Sequence, residues 1–570
     1  MLKRVAVESA AEAYLELLAA RGIEHFFGNA GTDFAPIVEA YAKRLAQGTL
    51  LPRPMTVPHE VTAVAMAHGY AMVTGRPQAV MVHVIVGTAN ALGGIMNAAR
   101  AHVPILFTAG RTPITEGNLP GARNRYIHWA QEAFDQGALV REFVKWDYEL
   151  RMGSQLETVV DRALAIACAE PPGPVYLTLP REVLAERMET LEYGDPSRAP
   201  RNSATVADAA AIAEAARILV GARNPLIIAK APGRDPAAVA PLVRLAEALG
   251  APHFDHWHTH VNFPQHHPLH AGYDPAPYLA EADVVLAVES DVPWIPKLAA
   301  PRPEAKVIQV AVDPLFARYP IRGFPADVAL AGTPRMTLAA LAEAVVAAGP
   351  DPAQAVARRQ RWGAEHAGQR SRWEAAARAV AGDRPIDMAW LSRRLGDVLD
   401  ESTIVVNEYD LDVTQTCFGT PGSYFGSSPA AGLGWGLGAA LGAKLAAPDK
   451  TVICAVGDGA YIFGSPTAAH FVSRAYNLPI LVVIFNNRAW NAVKRATKAY
   501  APDGWAVRTG TMPMSDLEPA PDYELICRAS GGHGERVEDP AELPGALARA
   551  LKVVSEERRQ ALLNVICKKP

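Results

Sequence analysis

The chain lacks any hydrophobic run long enough to span a bilayer, which takes ~20 apolar residues. Its longest, Leu478–Phe485, has the length of a buried strand. Cysteine is scarce: five among 570 residues (Cys168, Cys417, Cys454, Cys527, Cys567), widely spaced and without a C-x-x-C pair. Such a set forms neither a disulfide framework nor a zinc site, and reads as reduced thiols in a cytoplasm. Charge of one sign is not in excess either, since 55 Lys and Arg stand against 59 Asp and Glu, a formal net charge of −4. Nucleic acid or an anionic membrane would call for a basic excess, so neither is expected as a partner. Met1-Leu2-Lys3-Arg4 runs into an amphipathic helix pattern without the apolar core of a signal peptide, and the expected location is cytoplasmic.

What the chain does have is apolar mass. Half its residues are hydrophobic and 20% are charged, enough to bury large cores, and its length predicts three or four domains. Short apolar runs alternate with helical-period stretches, the pattern of parallel sheets covered by helices. Ser9 is placed to cap a helix through Arg21. Strands are expected at His25–Gly28, Met55–Val57, Ala79–Val84, Pro104–Ala109 and Val175–Leu179. A second set includes Leu226–Ala229, Val284–Glu289 and Lys306–Asp313, and a third Thr403–Asn407, Thr451–Val456 and Pro479–Phe485. Polar Met188–Thr205 and charged, Ala-rich Gly349–Arg384, a solvated helix, read as linkers. The expected domains are therefore 1–187, 205–348 and 385–570.

Open α/β sheets bind ligands at the carboxyl ends of their strands. There, Gly457-Asp458-Gly459 follows one strand and Asn486-Asn487 ends the next, with Ser465-Pro466 placed to open the helix between them. One carboxylate and one amide carbonyl, both hard oxygens, suit a Mg²⁺ that also holds phosphate oxygens. Gly457 and Gly459 let a diphosphate approach the backbone. The first block repeats the placement. Gly28-Asn29-Ala30-Gly31-Thr32 follows one strand, Pro58-His59-Glu60 another, and His83 lies near the end of a third. Taken alone, Glu60 can be a helix N-terminal charge and His83 a core histidine.

Together these segments resemble the thiamine-diphosphate-dependent 2-oxoacid decarboxylase and acetolactate synthase superfamily, nearest to the benzoylformate decarboxylases. Gly457-Asp458-Gly459 through Asn486-Asn487 resembles the family's cofactor–Mg motif, and Pro58-His59-Glu60 with Gly69-Tyr70-Ala71 its activating-glutamate segment. Phe27-Gly28-Asn29-Ala30-Gly31-Thr32, Val82-His83 through Gly93 and Val144-Lys145-Trp146-Asp147-Tyr148-Glu149 are similar to benzoylformate decarboxylase runs, whereas Gln131-Glu132 is nearer the acetolactate synthases. The resemblance implies three doubly wound parallel-sheet domains: pyrimidine-binding, central and diphosphate-binding. It also implies thiamine diphosphate and Mg²⁺ as cofactors. Glu60 would contact the aminopyrimidine, and Leu433, in Gly432-Leu433-Gly434, would wedge the cofactor into its bent form. Asp458, Asn487 and the Ala489 carbonyl would hold the metal, and Asn407, Glu408, Gly432, Gly457, Gly459 and Ala460 would border the cofactor. Thr32 and His83 join Glu60 as candidate catalytic groups, and Asn29, Gln131 and Trp490 line the expected pocket.

The implied reaction is decarboxylation of a 2-oxoacid, aromatic or bulky in side chain, through an enamine. Carboligation to an aldehyde acceptor accompanies it. The implied assembly is a homodimer or homotetramer with active sites at subunit interfaces. Lys230-Ala231-Pro232-Gly233 stands where FAD-containing relatives have a glycine run, so FAD is not expected. The family's second active-site histidine is missing from Asp291–Pro296. An acetolactate-synthase-like carboligase acting on pyruvate is the alternative. A nicotinamide enzyme fails because no strand precedes Gly434-Trp435-Gly436-Leu437-Gly438-Ala439. The histidines between His253 and His270 leave a metal-binding reading, since alternating His256, His258 and His260 on a strand would share one face.

Overall fold

The computed structural model describes residues 2–49 and 51–569. The chain folds into parallel-sheet α/β domains arranged in two compact units. One comprises Met1–Asn202, Ser427–Val537 and Gly545–Pro570; the other comprises Ser203–Gly426 and Glu538–Pro544.

The first unit holds a six-stranded parallel sheet of β1 (His25–Gly28), β2 (Arg53–Thr56), β3 (Ala79–Val82), β4 (Leu106–Arg111), β5 (Asp147–Glu149) and β6 (Val175–Pro180). Its order is β2-β1-β3-β4-β6-β5. The order reverses between β1 and β3, where Gly28 lies beside Met81. A crevice outside the carboxyl ends is expected at such a point.

The second unit holds β7 (Pro225–Ala229), β8 (His253–Asp255), β9 (Val284–Val288), β10 (Lys306–Ala311) and β11 (Val328–Ala331), in the order β8-β7-β9-β10-β11. Here too the order reverses, between β7 and β9. The space beyond their ends is filled by Lys230, whose Nζ donates to Asp291 Oδ1 and Oδ2 at 2.5 and 2.6 Å, while the Tyr319 hydroxyl donates to Oδ2 at 2.7 Å. A parallel pair, β12 (Thr403–Glu408) and β13 (Tyr424–Gly426), completes this unit's strands. Four further strands belong to the first unit: β14 (Thr451–Gly457), β15 (Leu481–Asn486), β16 (His533–Val537) and β17 (Ala561–Ile566), parallel in the order β14-β15-β17-β16.

Three helices of the first unit matter most. Helix α1 (Glu60–Thr74) is buried on every side from Thr62 to Ala71, and it lies against α3 (Trp435–Ala446), while α2 (Val84–Arg100) follows β3. Glycine sets the closeness of α1 and α3. A Cβ on Gly69 would fall inside the carbonyl of Ala439, one on Gly442 inside that of Met66, and one on Gly438 against Thr62 and Ala65. A helix backbone cannot yield locally, so overpacking here costs about 1–3 kcal/mol or more. Gly69→Ala is expected to lower Tm by several degrees. Calorimetry showing an unchanged transition would remove the seam as a constraint.

Ser9 accepts from the Glu12 amide at 3.2 Å and caps the helix Ala10–Ala20, as its position predicts. The stretch 349–384 is the solvated helix Pro352–Ala379, with Ala355, Trp362 and Ala377 its buried residues. One expectation fails. Met188–Thr205 is not wholly a linker, because Thr190–Tyr193 pairs antiparallel with Lys3–Ala6, a long-range partner that four residues do not announce. Ser465-Pro466 opens the helix Pro466–Tyr476 as expected, with Ser465 at the cap position in a left-handed conformation (φ 50°) and without a side-chain cap bond.

Candidate active site

Glu60 is the first residue of α1, whose preceding His59 accepts the Val61 amide at 3.2 Å. The Glu60 side chain is nearly buried, and its Oε2 accepts from Asn90 Nδ2 at 2.6 Å. Gly87 faces Glu60 Oε1, and a Cβ there would already meet Val82. Asn90 lies on α2, and two turns along the same face Asn97 holds another loop. Asn97 Nδ2 donates to the Gly432 carbonyl at 2.8 Å, and its Oδ1 accepts the Gly432 amide at 3.0 Å. Ser428 donates to the Asn97 carbonyl at 2.8 Å. The turn 428–434, ending in left-handed Gly434 (φ 84°), is thus pinned to α2, with Leu433 half-buried in it.

His83 follows β3 directly and serves as the residue before α2. Its Nδ1 lies 2.5 Å from Asp33 Oδ1, and its Nε2 lies 3.3 Å from Gln131 Nε2. The hydrogen bond that His83 donates to Asp33 raises the His83 pKa above the ordinary histidine range, against burial, with the charges of Asp33 and Glu60 assisting. Gly31 gives the ring its place, since a Cβ there would enter the imidazole. Thr32 is exposed, and its carbonyl accepts from Arg181 Nη1 at 3.4 Å. Asn29 is half-buried, its amide donating to the Met81 carbonyl at 3.0 Å. Asn29, Thr32, His83 and Gln131 therefore gather at the switch point of the first sheet.

In the other sheet of this unit, Gly457 and Phe485 are register partners, so Asp458 and Asn486-Asn487 leave neighbouring strands side by side. Asp458 and Asn487 are each 1% exposed. Burial and the Asp458 charge push the Tyr523 hydroxyl up to about 12. Asn487 Oδ1 accepts the Ala489 amide at 2.9 Å, and its Nδ2 has no partner among the described residues. A second lone pair on Oδ1 and the Asp458 carboxylate make a hard-oxygen donor pair of the kind Mg²⁺ takes. The Trp490 indole lies over Gly459, where a Cβ would strike its ring, and its amide donates to the Ser515 carbonyl at 2.8 Å. Ala460 is buried in the short helix Asp458–Phe463. Asn407 and Glu408 end β12 in the second unit and are buried there, with Asn407 Nδ2 donating to the Tyr424 hydroxyl at 3.1 Å.

The histidine cluster does not converge on a cation. Among the described residues no three His, Cys, Asp or Glu side chains are grouped to hold a metal. The strand β8 ends at Asp255, so His256, His258 and His260 do not alternate on one face. Instead Asp255 accepts from His253 at 3.0 Å and His270 at 3.2 Å, and His258 stacks on Tyr273 and Tyr424. The metal-binding reading of this segment is withdrawn.

Residues 8–139 and 409–565 match the N-terminal and C-terminal TPP binding domains of the thiamine pyrophosphate enzymes, and residues 212–341 match their central domain. The chain belongs to the thiamine pyrophosphate enzyme family. It is 29% identical over 554 residues to a benzoylformate decarboxylase of Pseudomonas aeruginosa, covering 94% of this chain and 95% of that one. It is 25% identical over 567 residues to the acetolactate synthase isozyme 3 large subunit of Escherichia coli, covering 96% and 93%. Its fold is similar to that of a thiamine diphosphate-dependent 4-hydroxybenzoylformate decarboxylase of Rhodococcus jostii RHA1, with TM-score 0.78, 24% identity and 99% of each chain covered. The chain is thus a thiamine-pyrophosphate-dependent enzyme related to decarboxylases and acetolactate synthases. Among the described residues no helix is long and apolar enough to cross a membrane.

Proposed function

We propose that this enzyme decarboxylates a 2-oxoacid with an aromatic or bulky side chain and also joins the resulting fragment to an aldehyde. The observation that carries the reading is His83, held at both ring nitrogens at the switch point of the first sheet and close enough to Glu60 to feel its charge. When bound, thiamine diphosphate supplies the nucleophilic carbon and the electron sink that 2-oxoacid decarboxylation requires. Asp458, Asn487 and the Ala489 carbonyl would hold Mg²⁺, and Gly457, Gly459, Ala460, Gly432 and Leu433 would border the cofactor. Glu60 would accept a hydrogen bond from the aminopyrimidine.

This chain's own residues then have defined work. Thr32 and Asn29 orient the substrate carboxylate, and Gln131 and Trp490 bound the side-chain pocket. His83 moves a proton at the substrate, a task suited to an imidazole near neutral pH. No second histidine stands at Asp291–Pro296, so product protonation loses one general acid and transfer to an aldehyde competes. An enzyme without FAD is part of the same reading, and so is a homodimer or homotetramer in the cytoplasm, with active sites between chains.

A panel of 2-oxoacids from pyruvate to benzoylformate, with products identified by mass spectrometry with and without added aldehyde, tests it. Aldehyde and hydroxyketone from the bulkier acids are expected. Acetolactate from pyruvate as the dominant product, without turnover of bulkier acids, would replace this reading by acetolactate synthesis.

A further inference from the structure

We propose that Asp33 is a positioning residue: its carboxylate fixes the His83 imidazole as the Nδ1–H tautomer and leaves Nε2 to exchange the proton with substrate. The inference rests on the reading of His83 as the proton-moving group. An ionised carboxylate only accepts hydrogen bonds. At 2.5 Å from Asp33 Oδ1, the His83 Nδ1 therefore carries the hydrogen. Nε2 is then the acceptor in the neutral ring, and Gln131 Nε2 donates to it at 3.3 Å. Gln131 Oε1 is buried and has no partner among the described residues. Turning that amide over would place an acceptor against Nε2–H once the ring is protonated, so both states of His83 can be held in one orientation.

Asp33 is itself built in. It is 2% exposed, its Oδ2 accepts the Val84 amide at 3.4 Å, and a side chain on Gly110 would occupy the place of its carboxylate. A desolvated, charge-assisted hydrogen bond of this kind is strong and directional. The charges facing His83 are Asp33 and Glu60, which favour its protonated form, and His128, whose own pKa is lowered by burial first, then by Arg181, Arg123 and Arg125, with His83 the smallest contributor. Arg181 in turn feels the Asp33 charge. Asp33 is the principal group holding the His83 proton to higher pH.

Diethylpyrocarbonate, which reacts with neutral imidazole, reads this without any substrate. Carbethoxylation of the His83 peptide is followed by mass spectrometry across pH, with free N-acetylhistidine in the same mixture as reference. In the unmodified chain the His83 midpoint is expected above that of the free reference, and in Asp33→Asn it should move to lower pH. The same substitution should lower kcat/KM by about 10²-fold, mostly in kcat, as misorientation of a reacting group does. A His83 midpoint at or below that of the free reference, or one that Asp33→Asn leaves unmoved, would overturn the proposal. So would a moved midpoint with unchanged kcat/KM. If the variant fails to fold, the comparison in the unmodified chain still decides. If no 2-oxoacid is turned over, the decarboxylase reading falls while the labelling result stands.

Discussion

Glu60→Gln is expected to lower kcat by about 10²–10⁴-fold, the usual share of a positioned acid–base group, while thiamine diphosphate still binds. Gln matches Glu in size, so the start of α1, the His59 cap and the Gly87 contact are undisturbed. Asn90 can turn its amide to meet the new side chain. What is lost is one carboxylate whose charge and acceptor oxygens no neighbour replaces. The kinetic measurement needs a calorimetric Kd beside it. Retained binding with lost turnover places Glu60 in the chemistry, whereas a kcat loss below tenfold would return it to the simpler role of a helix N-terminal charge.

The second large effect is at the other sheet. Asp458→Ala should weaken thiamine diphosphate binding in the presence of Mg²⁺ by about 100-fold or more, beyond the 10–100-fold typical of groups that merely support a metal ligand. Asn487 and the Ala489 carbonyl leave only neutral oxygens, and a diphosphate needs its charge balanced. The fold should survive, because Asp458 lies at a strand end beside Tyr523 and not within the apolar packing of β14 and β15. An unaltered affinity, with the variant's Tm close to that of the parent chain, would remove Asp458 from the metal site.

Much of this arrangement was legible in the chain. The alternation of apolar runs with helical periods placed β1, β3, β6, β7, β9, β10, β12, β14 and β15 within a residue or two, since buried parallel strands are continuous hydrophobic stretches. The pairing of Asp458 with Asn486-Asn487 followed from one βαβ unit, which fixes neighbouring strand ends by local connectivity. Asp33 did not stand out, because an acidic residue in a loop is common. Its meaning depends on β1 and β3 being neighbours, which sequence order conceals behind β2. Asn90 and Asn97 left a fainter mark, two amides seven residues apart on one face of an otherwise apolar helix. Short strands such as Asp147–Glu149 and Thr190–Tyr193 carry too few residues for their periodicity to speak, and distant partners decide them. The histidines of 253–270 misled for a related reason. Their spacing suggested a strand face, but backbone turns after Asp255 sent each ring to a different neighbour.

The glycine seam between α1 and α3 has a consequence for synthesis. Gly69 leaves the ribosome with the N-terminal sheet, while Ala439, whose carbonyl it packs against, emerges only after Ser203–Gly426 of the second unit has been made. At translation rates of ~5–20 residues per second that interval is tens of seconds. Throughout it, α1 presents a flat, small-residue stripe whose intended cover does not yet exist. The nascent N-terminal segment thus passes through a prolonged open state, in which another half-made copy carries no α3 to offer either. Chaperone demand for this protein should therefore peak before the chain reaches Trp435 and fall once α3 docks.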